Sequence, residues 1–278
     1  MGQMLIFGMG YAASHLAGRL RARGWEVTGT TQDGREGSIA FADERAVLAE
    51  LRSATHILSS VPPDEGNDPV LARYGEAIAL APAGWVGYLS STGVYGDAGG
   101  AWVDESAPIK GRRSDRNAAD AAWAALRGDV RIFRLPGIYG PGRSILDRIS
   151  EGRAHRIDLP EQVFSRVHVD DIAGGVMASF RGPAGVYNLA DDAPCHQNEL
   201  VEWGCAMLGA ALPPLQSLED AGLSPAARAF YAENRRVANG KARRLLGWTP
   251  RYPTFREGLA SLATTVAPAK AGAAIGVE

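Results

Sequence analysis

Cysteine, net charge and long apolar runs are scarce in this sequence, and each shortage excludes a class of protein. The two cysteines, Cys195 and Cys205, show no Cys-x-x-Cys spacing, which fits reduced thiols. A formal net charge of −2 gives no electrostatic reason to expect nucleic acid or a membrane as partner. No stretch approaches the roughly 18 apolar residues of a membrane-spanning helix, and the N-terminus lacks the pattern of a signal peptide. We therefore expect a cytoplasmic protein.

What the sequence does contain is an alternation of short apolar runs with helical patterns, which is typical of a parallel sheet wrapped by helices. The predicted strands are Met4–Phe7, Glu26–Thr30, Ser38–Phe41, His56–Val61, Trp85–Ser90 and Val130–Leu135. Beyond Pro141 the pattern becomes irregular. We predict an α/β fold with a Rossmann-type, doubly wound parallel sheet over residues 1–141. Residues 142–263 are expected to interleave further core elements with a smaller C-terminal substrate lobe, and residues 264–278 to form a disordered tail.

The first apolar run leads directly into a glycine turn and a helical pattern. The turn has the form Gly-x-Gly-x-x-Ala and consists of Gly8, Met9, Gly10, Tyr11, Ala12 and Ala13. Gly8 permits the tight turn, Gly10 lets a pyrophosphate approach the backbone, and Ala13 lets helix and strand pack closely. Amides at the helix start would face the phosphates. We predict that these six residues bind a dinucleotide. The alternatives are a turn that only packs, or one blocked by Phe7 or Tyr11.

The segment after the second predicted strand bears on the choice between NADP and NAD. A site for NAD usually offers Asp or Glu to the ribose about 20 residues beyond the glycine turn. This sequence has Thr30, Thr31 and Gln32 there, and Arg35 follows. Because no carboxylate at those positions would repel a 2′-phosphate, Thr31 and Arg35 favour NADP. NAD stays open, since Asp33 is close and Arg35 can equally be a solvated loop charge.

A second motif lies at the end of the fifth predicted strand, where Tyr88 to Gly96 reads Tyr-Leu-Ser-Ser-Thr-Gly-Val-Tyr-Gly. Further segments follow in order: Arg134–Arg143, Arg166–Ala173, Tyr187–Asp192, Asn234–Asn239 and Leu245–Trp248. Together these motifs resemble the extended short-chain dehydrogenase/reductase family, the group of NAD-dependent epimerases and dehydratases. The resemblance runs from residue 4 to about residue 262.

The resemblance implies roles for individual residues. Ser91 stands four residues before the Val-Tyr-Gly tyrosine, which is the position of the family's catalytic Ser or Thr. A hydroxyl there can hydrogen-bond a substrate oxygen beside the nicotinamide. The resemblance also places the cofactor against the ends of three predicted strands, at Val61, Pro62, Ser90, Pro136 and Ile138.

The family's proton-transfer motif, Tyr-x-x-x-Lys, is missing, because there is no tyrosine between Gly96 and Trp123. Aligning the end of that motif with residues 118–120 puts Arg112 at the tyrosine position and Arg116 at the lysine position. We expect both on one helix face, at i, i+4 spacing. Arg112 cannot act as a general base, but it can bind a carboxylate, a phosphate or an oxyanion. Arg116 can replace lysine in holding the nicotinamide ribose. Loss of the motif is typical of atypical members of the family.

Two tyrosines in neighbouring loops are candidates to replace the missing one. Tyr95 and Tyr139 should border the nicotinamide, and either could act as the acid or base in the family's reaction. The alternative is that their rings only pack, and that water carries the proton.

Charged side chains beyond Pro141 suggest the chemistry of the substrate. Arg143, Arg153, Arg156 and Arg166 fall in the region that should line the substrate cleft, where they would suit a phosphate- or carboxylate-bearing molecule. The alternative is that they are surface charges balanced by nearby acids. No metal site is expected, because the polar cluster of His168, Asp170 and Asp171 lacks a full ligand set.

These observations predict an NAD(P)-binding oxidoreductase or epimerase-like enzyme that acts on a small polar or sugar-derived substrate. The alternative is a catalytically silent, NAD(P)-responsive regulatory protein. The Ala-rich stretch Ala118–Leu126 is either a homodimer interface or simply a close-packed helix.

Overall fold

The computed structural model describes residues 2–64 and 66–263. In chain order the strands are β1 (Gln3–Phe7), β2 (Glu26–Thr31), β3 (Ile39–Ala40), β4 (His56–Ser59), β5 (Trp85–Ser91), β6 (Trp102–Val103), β7 (Val130–Leu135), β8 (Gly137–Tyr139), β9 (Arg156–Ile157), β10 (Arg166–His168), β11 (Gly185–Asn188), β12 (Leu215–Gln216) and β13 (Arg236–Val237). The helices are α1 (Tyr11–Arg21), α2 (Glu44–Ser53), α3 (Pro69–Leu80), α4 (Ser114–Leu126), α5 (Ile145–Ser150), α6 (Val169–Ala178), α7 (Gln197–Leu208), α8 (Pro225–Phe230), α9 (Gly240–Leu246) and α10 (Phe255–Leu262).

Seven of the strands form one parallel sheet in the order β11-β7-β5-β4-β1-β2-β3. The strand β1 pairs with β2 on one side and with β4 on the other, so that Leu5 lies opposite both Thr28 and Ile57. The strand order therefore reverses at β1, and a crevice opens between the carboxyl ends of β1 and β4, where open α/β sheets bind ligands. The Rossmann-type doubly wound sheet predicted from the sequence is confirmed.

The sheet differs from the prediction in three strands, of which β3 and β11 are the edge strands. The strand β3 spans only Ile39–Ala40. The strand β4 ends at Ser59, because Pro62 and Pro63, which lack an N–H, follow shortly after it. The edge strand β11 was not among the predicted strands, since its sequence is short and only its last two residues are buried.

Alternation along β1 explains why helices cover both faces of the sheet. Met4 and Ile6 point to one side, where they pack with α1 and α6. Leu5 and Phe7 point to the other, where they pack with α2, α3 and α4. All four side chains are at most 2% exposed, and each contributes about 1.5–3 kcal/mol by its removal from water.

The later part of the chain builds a third apolar cluster between α5, α7 and α10. The elements α6 and β11 return to the main sheet from this region, so the two parts interleave. The division at residue 141 stays a prediction, and the tail predicted over residues 264–278 lies outside the described residues. Within residues 2–64 and 66–263, no helix combines the length and apolar character needed to cross a bilayer.

Candidate functional site

The glycine turn joins β1 to α1 at the point where the strand order reverses. Gly8 has a φ of +83°, and a Cβ atom there would lie 2.7 Å from Val61 Cγ2, so only glycine fits. A Cβ atom on Gly10 would meet nothing closer than Ser60 Oγ at 3.9 Å, so the space in front of the turn is open. No side chain caps α1 and its first turn carries no acidic residue. Its first N–H groups therefore present a positive end to that space.

The other residues of the turn support this geometry. Ala13 is fully buried, and Met9 packs against Gly29 of β2. Phe7 is also fully buried, and its ring stacks on Tyr74. Tyr11 donates from its hydroxyl to the Pro141 carbonyl at 3.0 Å, and burial raises its pKa to about 12. Both rings are held away from the turn, which argues against a turn that they block.

The two residues predicted to recognise the 2′ position lie at the carboxyl end of β2. The Thr31 hydroxyl forms a hydrogen bond with Ser38 Oγ at 2.7 Å, and it accepts another from the Gly34 amide at 3.0 Å. The Arg35 side chain is 69% exposed and has only a 3.9 Å ion pair with Asp33. A 2′-phosphate can therefore compete for Arg35, whereas Thr31 is occupied in shaping the loop.

Four further residues predicted for the cofactor lie beyond the carboxyl ends of neighbouring strands. Val61 and Pro62 follow β4, and a Val61 methyl group contacts the glycine turn. Pro136 and Ile138 follow β7, and both are half-buried. All four therefore border the crevice edge of the sheet.

Ser91 ends β5 at the same edge. Its Oγ accepts a hydrogen bond from the Gly93 amide at 3.1 Å and thereby caps a single 3₁₀ turn, Thr92–Tyr95. Because this bond uses the oxygen as acceptor, the hydroxyl proton remains available to a second oxygen. The half-buried Ser91 is therefore a preorganised hydrogen-bond donor.

A buried hydrogen-bond network lies beneath the carboxyl end of β5. Arg134 donates to both oxygens of Asp120, from Nε at 3.0 Å and from Nη2 at 2.6 Å. Ser90 Oγ donates to the same carboxylate at 2.6 Å. Tyr95 donates to Asn188 Oδ1 at 2.7 Å and accepts from Arg134 Nη1 at 3.1 Å. The network ties β5, α4, β7 and β11 together.

The network corrects two predictions. Ser90 is 6% exposed and its hydroxyl is bound to Asp120, so the side chain is not free to contact a cofactor. Tyr95 is 1% exposed, and burial raises the pKa of its phenol. Tyr95 is therefore a packing residue, and its assignment to proton transfer is wrong.

Tyr139 is also buried, at 8% exposure, and its hydroxyl lies so close to Gly258 of α10 that a Cβ atom would not fit there. Burial raises the pKa of the Tyr139 phenol well above its ordinary value. A hydroxyl covered in this way cannot exchange a proton with a substrate. Its assignment to proton transfer is wrong as well.

Arg112 lies outside the helix on which it was predicted. The helix α4 begins at Ser114, so Arg112 occupies the preceding loop and does not share a helix face with Arg116. Its Nε donates to Glu233 Oε1 at 2.9 Å, and its Nη2 donates to the Ala229 carbonyl at 2.8 Å. The predicted i, i+4 pair is therefore wrong.

Local packing explains the late start of α4. Gly111 lies so close to the Gly93 carbonyl that it has no room for a Cβ atom. Asn117 Nδ2 donates to the Gly111 carbonyl at 2.7 Å, and the Gly111 amide donates to the Val94 carbonyl at 2.9 Å. These contacts hold the chain against the turn after β5, so helical geometry begins only at Ser114.

Arg116, in the first turn of α4, is half-buried. Within the described part of the chain, its guanidinium has no hydrogen bond and no ion pair within 4 Å. Burial and the like charge of Arg113 lower its pKa from the ordinary value, yet an arginine remains charged at neutral pH. An unpaired cation at this place fits the predicted contact with the ribose, which stays a prediction.

Two functional candidates were missed by the sequence reasoning. Arg235 and Glu233 lie beside the turn after β5, where Arg235 Nη1 donates to the Gly96 carbonyl at 2.8 Å and to Glu233 Oε2 at 2.7 Å. Burial alone would raise the pKa of Glu233, but hydrogen bonds and charge from Arg235 and Arg112 outweigh it and lower that pKa. The segment Asn234–Asn239 already stood out as a family motif, and its charges were the available signal.

The four arginines predicted to line the substrate cleft do not form one cluster. Arg166 is buried and donates to the Phe164 carbonyl and to Gln197. Arg156 is bound to Glu202 and to a backbone carbonyl, and Arg153 pairs with Glu151. Only Arg143 lies near the glycine turn, over the Tyr11 ring at 5.5 Å.

The cluster around His168 has a structural role. His168 caps α6 by accepting from the Asp170 amide at 3.1 Å. Asp171 accepts from the amides of Arg251 and Tyr252. Among the residues that the structure describes, no group of three or more His, Cys, Asp or Glu side chains is arranged to hold a metal ion.

The chain is similar to known proteins over most of its length. No family model matches the chain. It is 26% identical to Protein YeeZ of Escherichia coli K12, over 91% of this chain and 97% of that protein. It is 28% identical to 3-diazoavenalumate denitrifying reductase of a Streptomyces species, over 92% of this chain and 99% of that protein.

Several solved structures have a similar fold. A functionally unknown conserved protein of Silicibacter pomeroyi is 40% identical, with a TM-score of 0.87 over 95% of this chain and 99% of that one. The human epimerase family protein SDR39U1, solved with NADPH, is 20% identical, with a TM-score of 0.77 over 94% and 99%. MoeE5, solved with UDP-glucuronic acid and NAD, is 22% identical, with a TM-score of 0.76 over 95% and 98%.

The sheet order and the glycine turn define a Rossmann-type α/β protein, and its fold matches that of the human epimerase family protein solved with NADPH. The chain shares this fold with NAD-dependent epimerases and dehydratases among the solved structures, which confirms the resemblance of its motifs, and with the functionally unknown Silicibacter pomeroyi protein.

Proposed function

We propose that the protein binds NADP, with NAD as the alternative, and that it is an oxidoreductase or epimerase-like enzyme acting on a small polar or sugar-derived substrate. One observation carries the proposal: the open glycine turn and the free Ser91 proton lie at the same edge of the sheet. The NADPH and NAD bound in the structural relatives, and the reductase among the curated relatives, support it.

The residues of the turn fit such a cofactor. Gly8 and Gly10 leave room for a pyrophosphate, and the amides at the start of α1 would hold it. The half-buried cation of Arg116 would lie against a ribose, and the exposed Arg35 would meet a 2′-phosphate. When bound, a nicotinamide donates or accepts a hydride.

The chain's own contribution to the chemistry would then be electrostatic. Ser91 would donate its proton in a hydrogen bond to the substrate oxygen on which charge develops. Because Tyr95 and Tyr139 are buried, water would supply the proton that the family's tyrosine normally handles. Losing a proton-transfer residue typically lowers the rate by ~10²–10⁴-fold, so turnover should be slow.

The test is oxidation of NADPH by the purified protein in the presence of aldehydes, ketones and nucleotide sugars. Ser91→Ala should abolish any activity found while leaving the affinity for NADPH unchanged. Ser53→Ala provides a control, because that hydroxyl donates only to the Glu50 carbonyl at the end of α2. Unchanged turnover in Ser91→Ala would exclude the assigned role.

A second candidate is the silent, NAD(P)-responsive regulatory protein. The placement of Arg112 favours it, because the residue at the tyrosine position is held by Glu233 and Ala229. Tight binding of NADPH together with persistent absence of its oxidation across the substrate panel would select this candidate over the enzyme.

A further inference from the structure

The guanidinium of Arg235 borders the same small space as Ser91. A Cβ atom built on Gly93 would lie 3.3 Å from Ser91 Oγ and 4.0 Å from Arg235 Nη2. Both polar atoms therefore face the side of Gly93 where other residues carry a Cβ atom and glycine has only a hydrogen atom. The Arg235 side chain is 16% exposed, so it lies in the wall of this space and does not extend into solvent.

One edge of Arg235 is fixed and the other is free. Its Nη1 is bound to the Gly96 carbonyl and to Glu233 Oε2. Within the described residues, neither Nη2 nor Nε of Arg235 donates a hydrogen bond. This Nη2–Nε edge presents two parallel donors, an arrangement that matches the two oxygens of a carboxylate.

The local charge also favours an anion. The carboxylate of Glu233 forms an ion pair with each of two arginines, Arg112 and Arg235. This group of two guanidinium groups and one carboxylate carries one unit of net positive charge. A single carboxylate would balance that charge.

We infer that Arg235, held in place by Glu233, binds a carboxylate group of the substrate beside Ser91. The inference deepens the proposed function and rests on it, because it specifies the substrate class as carboxylate-bearing molecules. Arg112 is then a positioning residue, because its ion pair fixes the position of the Glu233 side chain and thereby the orientation of Arg235.

Benzoate and its neutral counterpart benzamide test this assignment by calorimetric titration of the protein saturated with NADP. Wild-type protein should bind benzoate more tightly than benzamide. Arg235→Gln should weaken benzoate binding by about 10- to 100-fold, as expected for loss of a charge-assisted bidentate contact, and should leave benzamide binding unchanged. Arg235→Lys keeps the charge but loses the paired donors. Its affinity for benzoate should therefore lie between those of the wild type and Arg235→Gln.

Arg127→Gln is the matched control. Arg127 is 17% exposed, and like Arg235 it is bound to one carboxylate and to backbone carbonyls, but it lies at the far end of α4. This variant should bind benzoate as the wild type does. Thermal midpoints without ligand show whether either substitution has simply destabilised the fold.

The NADP titration separates the two proposals. Absence of NADP binding would count against the proposed function alone, because benzoate is also titrated against the nucleotide-free protein. Equal affinity of wild-type protein for benzoate and benzamide, no binding of either, or unchanged benzoate binding by Arg235→Gln would each overturn the assignment of Arg235.

Discussion

Replacing Asp120 by Asn should destabilise the protein by about 3–5 kcal/mol, because it leaves Arg134 charged and buried without its carboxylate. The two side chains are 5% and 1% exposed, so water cannot take the place of the lost charge. For a protein of this size each kcal/mol moves the thermal midpoint by roughly 2–4 °C. The expected drop in midpoint is therefore roughly 6–20 °C.

The chain offers a control with the same geometry and a different environment. Arg127 binds Asp129 through Nε and Nη2, both at 2.8 Å, but these side chains are 17% and 39% exposed. Asp129→Asn should cost at most about 1 kcal/mol, because solvent screens the pair. Urea and thermal unfolding of both variants beside the wild type give the comparison.

A double variant tests whether the lost stability comes from the unpaired buried charge. Replacing Asp120 by Leu and Arg134 by Met together removes both charges, and it should recover much of the stability that Asp120→Asn loses. Equal losses in Asp120→Asn and Asp129→Asn would refute the argument that burial decides the strength of this pair.

Three other substitutions give measurable outcomes. Gly8→Ala should lower stability by about 1–3 kcal/mol and weaken NADPH binding, because its φ of +83° and the Val61 methyl group at 2.7 Å oppose a Cβ atom; unchanged urea unfolding would contradict this. Burial raises the pKa of Asp191 from 3.8 to about 8, so the folded protein holds that proton more tightly and its stability falls as pH rises from about 4 to about 8. Asp191→Asn should reduce this dependence of stability on pH. If its thermal midpoint changes between pH 5 and pH 8 as much as that of the wild type, the role given to Asp191 is wrong. Arg35→Ser should weaken binding of NADPH more than that of NADH, and equal effects in calorimetry would remove Arg35 from the cofactor site.

The sheet and the glycine turn could be predicted because their signals are local. Apolar runs of strand length, a Gly-x-Gly-x-x-Ala turn and the helical pattern after it lie within a short stretch of chain. Arg134 is a further signal in the sequence, since its position in an apolar strand indicates a buried ion pair. It stands in the strand Val130–Leu135, whose residues are all buried, and a charge in such a strand requires a partner.

The details of the site depend on contacts between distant segments. Arg112 was assigned to a helix by spacing, whereas the contact of Gly111 with Gly93 delays the start of α4. Arg235 approaches Gly93, next to Ser91, from a segment more than a hundred residues away, and no local sequence pattern indicates that approach. Tyr95 keeps its family motif, yet its burial follows from packing against distant residues such as Arg134 and Val237.

Thermal unfolding with saturating NADPH, NADP, NADH and NAD tests most directly whether the glycine turn binds a nicotinamide cofactor. A ligand at about a hundred times its dissociation constant adds ~2.7 kcal/mol, which should raise the midpoint by roughly 5–10 °C. We expect that rise with NADPH and NADP, and a smaller one with NADH and NAD. The same midpoint with and without all four nucleotides would contradict cofactor binding at the turn, and the enzyme proposal with it.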